Sequence, residues 1–325
     1  MHPAFSVIFL TTLIGVGQGR FLALYTGQLY SVVNVLPVQD SYSFYGLGSL
    51  LALVFLVGGL IASIFHLGRP ERAWRSAAQW RTSWLSREVI VLPAFMGLTA
   101  LYGLVHYFDL NPVLFSFSGE FTVDLSLVIG GINTVLAFAL FFCTGKIYAC
   151  VKFLQEWATP LTVVNYILLG SASGFSLATA FAAYVGSGLV SFYGAWAIII
   201  TLAAFVSRSA SLFRNTRIKY KSSLRSAIGI RHARIEQKSR GFMAGSFNTR
   251  EYFHGVSAQS FGSVKWIFLV LVFPVPVALI SIGLGSGAFP LLALAFAVQY
   301  TGLLAERWFF FAQANHPQNL YYQTV

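Results

Sequence analysis

Residues 65–89 read FHLGRPERAWRSAAQWRTSWLSREV. An imidazole, His66, ends one apolar run, and a carboxyl, Glu88, opens the next. The stretch between them holds Arg69, Arg72, Arg75, Arg81 and Arg87. A histidine exchanges protons near neutral pH, and a neighbouring carboxylate orients the ring or passes protons to water. Arginines fix ring oxygens or counter developing charge. Reduction of a quinone takes two electrons and two protons, and it needs such groups where an amphipathic ring enters from lipid. Spacing alone leaves a plainer alternative open, an interfacial histidine with no further role, because ionisable groups near helix ends reach water cheaply.

These residues have to be positioned by apolar elements. The chain is 57% hydrophobic and 10% charged, against about 25% charged residues in soluble domains. It has too few polar residues to coat a core of its own, and a bilayer removes that need. A spanning helix takes about 20 mostly apolar residues. Eight candidates follow at roughly 5–34, 43–66, 88–108, 122–145, 160–184, 189–207, 264–284 and 288–312. The expectation is an all-α integral membrane protein, an eight-helix bundle forming one membrane domain over 1–325, with a basic loop at 208–263. No internal repeat is evident, although a four-plus-four arrangement fits the count. His66 and Glu88 then sit at the shoulders of spans 2 and 3, side by side where antiparallel neighbours meet. Trp74, Trp80 and Trp84 suit an interfacial belt. The N-terminal MHPAFSVIFLTT has no basic segment and no small-residue cleavage motif, so no signal peptide is expected.

Charge sets the orientation. Of 21 lysines and arginines, 19 fall on the side that holds both termini under eight spans, and Arg20 and Arg307 lie within spans. The other side carries Asp40, Asp109, Glu120 and Asp124 and no lysine or arginine. The positive-inside rule places both termini, His66 and the 208–263 loop in the cytoplasm of a multi-pass inner-membrane protein. The net charge of +11 is therefore read as contact with anionic lipid and a soluble protein partner. No nucleic-acid module is present, so nucleic acid is not an expected partner.

Ionisable groups inside spans cost about 2.5–3.5 kcal/mol at a helix centre. The simple expectation pairs Arg20 with Glu306 as structural glue. The alternative has Arg20, with Gln18, lining a site. Cys143 and Cys150 form no CxxC and are expected to be buried small hydrophobes. His66 and His106 lie at opposite ends of their spans, the other histidines lie near the termini or in the loop, and no matched pair lies within the membrane. No haem, iron–sulfur cluster or metal site is therefore expected in this chain, and electrons must arrive from a partner.

The runs SIFHLGRPERAW and SWLSREV resemble the signature of the DMSO reductase anchor subunit family, with His-Leu-Gly-x-Pro after the second helix and Leu-Ser-x-Glu opening the third. The C-terminal ERWFFFAQANHPQNLYYQ is similar to the end of that family's sulfite dehydrogenase branch. The resemblance covers essentially the whole chain. It implies an eight-helix anchor without a cofactor of its own, bound to an iron–sulfur subunit and through it to a molybdopterin catalytic subunit. It also implies a quinone site whose histidine is His66 and whose acid is Glu88; Arg69 and Arg20 are further candidate contacts from the reading of the residues alone. Ubiquinone, menaquinone and plastoquinone all remain open. In the DMSO reductase branch the catalytic subunits lie outside the cytoplasm, whereas charge here puts the His66 shoulder inside and the basic loop is long. Both departures favour a cytoplasm-facing, sulfite-oxidising complex that delivers electrons to quinone. A quinol-oxidising anchor of a DMSO or polysulfide-type reductase is the nearest alternative. A transporter or a purely structural tether are alternatives of another class.

Overall fold

The computed structural model describes residues 1–117, 121–232, 234–235 and 252–319. Its long helices are α1 (Phe5–Val32), α2 (Leu47–Ile64), α3 (Trp84–Tyr107), α4 (Leu125–Ala149), α5 (Pro160–Val185) and α6 (Val190–Thr216). A short α7 (Leu224–Ile228) precedes α8 (Ala258–Val272), α9 (Pro274–Ser286) and α10 (Pro290–Ala312). A π-helical turn, Ser41–Gly46, leads into α2, and a 3-10 coil, Pro70–Gln79, joins α2 to α3. Among the described residues seven helices are long and apolar enough to cross a membrane: α1, Ser41–Ile64, α3, α4, α5, α6 and Ala258–Ser286. The expected eighth span, 288–312, is helical as α10. It carries Gln299, Glu306 and Arg307 and does not meet the same apolar standard.

Helix ends follow the local chemistry. Asp40, Ser83, Asp124 and Ser257 each accept a backbone N–H at the start of a helix, which satisfies one of the donors a first turn leaves free. Pro160 and Pro290 occupy first-turn positions, where a missing N–H costs nothing. α5 ends at Gly186 with φ +72°, a left-handed cap that favours glycine. Asp124 closes the second strand of an antiparallel hairpin, β1 (Val113–Phe117) with β2 (Phe121–Asp124), where the sequence suggests only loop and span edge.

α1 and α5 form the centre. Of their most apolar windows 78% is buried, against at most 44% for the other five. Gly15 lies against Gly170, and Gly19 and Gly174 meet backbone to backbone. A Cβ on Gly19 would fall 2.3 Å from the Gly170 carbonyl oxygen, and one on Gly174 2.1 Å from the Gly19 carbonyl carbon. The pairs ascend together, so the two helices run parallel. The GVGQGR stretch is thus no interruption of α1 but the small-residue face through which it meets α5.

Each half of the chain repeats one packing order. α1 packs on α2 and α4, and α3 on α4. α5 packs on α6 and α10, and the α8–α9 pair on α10. Interhelical hydrogen bonds tie the layers: Gln18 Nε2 donates to the Ala137 carbonyl (2.9 Å), Tyr102 to Gln28 (2.8 Å), Asn165 to Ser211 (2.8 Å) and Gln299 to Thr201 (3.1 Å). The Met1 ammonium donates to the carbonyls of Ala314 (2.8 Å) and Ala312 (3.3 Å), so the start of α1 and the end of α10 share one end of the bundle. The arginine-rich coil is at that basic end. Asp40 and Asp124 are at the other.

Two expectations about the polar residues change. α6 continues through Arg208 to Thr216, so the connection to α8 begins at Arg217 rather than at Arg208. Within that connection, 236–251 lies outside the described residues. Cys143 is buried, but Cys150, at the end of α4, is exposed.

Candidate functional site

α2 ends at Ile64, and His66 follows in a turn closed by its N–H to the Ser63 carbonyl (3.4 Å). Its ring is exposed at the basic end. Neighbouring protein still removes enough water to hold the imidazole below its ordinary pKa, which favours the neutral form at pH 7. Arg69 caps the following coil, its carbonyl accepting from the Arg72 N–H (3.0 Å), and its exposed side chain makes no hydrogen bond or ion pair among the described residues. The remaining arginines shape the loop. Arg87 folds back to donate to the carbonyls of Trp80 (2.9 Å) and Arg81 (2.7 Å) and lies 4.1 Å over the Trp84 ring. Arg75 and Arg81 stack on Trp74 and Trp80, and Arg72 approaches Glu71 at 3.9 Å.

Glu88 sits in the second turn of α3 and turns inward. It accepts a hydrogen bond from the Thr144 hydroxyl on α4. No hydrogen bond or ion pair joins it to His66 among the described residues. The structure brings the two to the same end of the bundle but gives them different surroundings, an exposed turn for His66 and the space between helices for Glu88. There Glu88 lines a cavity of about 10 Å³ with Thr11, Gln18, Tyr166 and Arg307, close to the smallest volume that holds one water. The Arg307 guanidinium lies 3.7 Å over the Tyr166 ring. Sequence reasoning missed Thr144, Tyr166 and Arg307 as neighbours of Glu88. The one signal it had was an unexplained charge in the last span, which gives no indication of the face it occupies.

Arg20 does not pair with Glu306. The partner of Glu306 is Arg208 of α6, Nε to Oε1 at 2.8 Å, with Arg307 at 3.3 Å from the second carboxylate oxygen. Arg208 and Glu306 meet at ion-pair distance without hydrogen-bond alignment. Depth explains the choice. At about 1.5 Å per residue, Glu306 stands about 9 Å from the basic end of α10 and Arg208 about 12 Å from that of α6. Arg20 stands about 22 Å along α1. It is fully buried, its guanidinium lies 4.3 Å over Phe181, and none of its three nitrogens has an acceptor among the described residues. Gly48 leaves room for it, since a Cβ there would lie 2.8 Å from Nη2. His106 is at the acidic end, stacked on Tyr45 (4.7 Å) and bonded through Nδ1 to Ser41 (2.8 Å).

Fold and site together define a polytopic helical bundle with His66, Glu88 and the arginine-rich coil at one basic end. The family model of the DMSO reductase anchor subunit (DmsC) matches residues 1–233, and the chain belongs to that family. It is 58% identical, over the full length of both chains, to a sulfite dehydrogenase subunit of Allochromatium vinosum.

Proposed function

We propose that this chain is the quinone-reactive anchor of a molybdopterin and iron–sulfur oxidoreductase, passing electrons from sulfite oxidation to a quinone at the cytoplasmic face of the inner membrane. The full-length similarity to a subunit of a sulfite dehydrogenase supports the substrate of the complex. Eight crossings with both termini inside accord with the meeting of Met1 and the end of α10, which requires an even number, and with the clustering of cations at that end.

The observation that carries the quinone assignment is the paired placement of His66 and Glu88 on consecutive helices at the basic end, one facing out and one facing in. A quinone ring entering from lipid beside the end of α2 meets the His66 imidazole, which donates a hydrogen bond to a carbonyl oxygen. The unpaired Arg69 guanidinium is close in sequence and free to hold the other polar edge. Two electrons come from the iron–sulfur partner and two protons from the cytoplasmic side. Exposed His66 is replenished from water. Glu88 is the inner proton-holding group, with Thr144 fixing its carboxyl. Arg20, about 13 Å deeper than Glu306 and enclosed by aromatic rings, belongs to the bundle interior on this reading.

Replacing His66 by Gln in the assembled complex tests the assignment. Sulfite-to-quinone activity should be lost while sulfite-to-dye activity of the catalytic subunits persists. Quinone coupling that survives in a fully assembled His66→Gln complex would remove His66 from the mechanism.

A further inference from the structure

A second apolar feature lies away from the His66 shoulder, between α6 and the α8–α9 pair. The helix breaks at Phe273 (φ −112°, ψ −77°), just before Pro274, and Pro276 follows; neither proline has an N–H to continue the ladder. Beyond the break, α9 leans onto α6, where Leu284 packs over Gly194. Before it, α8 is drawn toward α10 by Phe268 against Phe309 (5.3 Å) and away from α6. At the floor the two walls touch through Phe205 with Phe273 (5.2 Å) and Arg208 with Phe268 (5.5 Å). What remains is a groove of about 830 Å³ on the outer face of the bundle, walled by Leu202, Phe205, Leu212, Leu269 and Val277.

Its mouth is at the basic end and is cationic. Lys265 lines it beside exposed Trp266. Arg217 lies 4.0 Å over the ring of Phe213, another wall residue. No carboxylate is among the described lining residues. From Leu202 to Thr216 the α6 wall runs about 21 Å, enough to cover the roughly 15 Å of one leaflet's hydrocarbon. The walls are bulky Leu, Phe and Trp rather than the small residues through which membrane helices pack. A groove of this length that is apolar along its floor and positive at its mouth complements one molecule with hydrocarbon chains and a negative head.

We infer that the α6/α8–α9 groove is a binding site for one anionic phospholipid of the leaflet at the basic end, its acyl chains in the groove and its phosphate between Lys265 and Arg217. This site is independent of the quinone reading.

The full chain in nanodiscs of equal phosphatidylglycerol and phosphatidylcholine, followed by detergent extraction and mass spectrometry, tests it. The wild-type protein should retain about one phosphatidylglycerol per chain. Each basic residue near an anionic lipid is worth about a factor of five in affinity. Lys265→Glu should therefore weaken retention at least fivefold, and Lys265→Glu with Arg217→Glu about thirtyfold, whereas the exposed Lys219→Glu should change nothing. Ala278→Trp, which fills the inner end, should exclude either lipid. As a check without charge variants, brominated phosphatidylglycerol should quench Trp266 fluorescence more than brominated phosphatidylcholine, read as wild type minus Trp266→Phe. Equal retention or quenching by the two lipids would overturn the site. So would disulfide-linked chain pairs formed through Ser209→Cys, which would put a second copy in the groove.

Discussion

The Thr144 hydroxyl on α4 donates to the Glu88 carboxyl on α3, and this bond turns the acid away from the loop that carries His66 and into the space bounded by Gln18, Tyr166 and Arg307. Thr144→Val keeps the volume and removes the donor. Glu88 is half-buried, and a hydrogen bond of this kind contributes about 0.5–1.5 kcal/mol net, so stability to thermal unfolding in detergent should drop by that amount. Sulfite-to-quinone turnover should slow in Thr144→Val and further in Glu88→Gln, with dye-linked activity unchanged in both. Wild-type quinone turnover in Glu88→Gln would take the carboxyl out of proton delivery.

Arg208 and Glu306 offer a double-mutant cycle. Removing one member of a buried pair leaves a lone charge and costs about 3–5 kcal/mol, whereas replacing both by apolar residues of similar volume is often neutral. Arg208→Met and Glu306→Leu should each lower unfolding temperature sharply. The double variant should recover most of the loss, although Arg307 then lacks its carboxylate. Additive losses would show that the 2.8 Å contact contributes no coupling.

The backbone contact between α1 and α5 is tested by the smallest possible addition. Gly19→Ala and Gly174→Ala each place a methyl group within 2.3 Å of backbone atoms that cannot yield as a side chain would. Overpacking of this kind costs about 1–3 kcal/mol or more, so yield and unfolding temperature should fall for both. Gly97→Ala, in α3 with nothing within 4 Å of the added carbon, should be neutral or slightly stabilising through helix propensity.

The lowered pKa of His66 has two consequences in pH. Between that pKa and the ordinary value of 6.5 the unfolded chain binds the proton more readily than the folded one. The His66 contribution to stability therefore falls as pH drops through this window and is level above 6.5. On the proposed mechanism the imidazolium would be the proton donor, so kcat/KM for quinone should rise as pH falls through a midpoint below 6.5. Steady-state rates against pH in the wild type would show this limb, and a flat profile through the window would remove the His66 proton from the rate.

The positions of the helices are legible in sequence because lipid demands long apolar runs, and the ends expected for α1, α5 and α10 fall within two residues of those observed. α6 is longer than expected because Arg208 looks like the start of a loop, although Leu212 and Phe213 continue the apolar pattern beyond it. Pairing is harder. Arg20, Arg208, Glu306 and Arg307 are all visible as charges in greasy surroundings, but which of them meet depends on their depths along separate helices, and no single run of sequence carries that. For the same reason Glu88 can be placed at the right end of the bundle without its neighbours Thr144 and Arg307, which come from helices distant in the chain.

The meeting of α1 and α5 through bare glycine backbone also bears on how the two halves are held together. Side chains can change rotamer and let two surfaces slide, but peptide groups in direct contact have no such slack. The two halves are riveted along this seam. On the proposed reading, small hydrophobic carriers would come and go through lipid at the periphery, around a fixed platform.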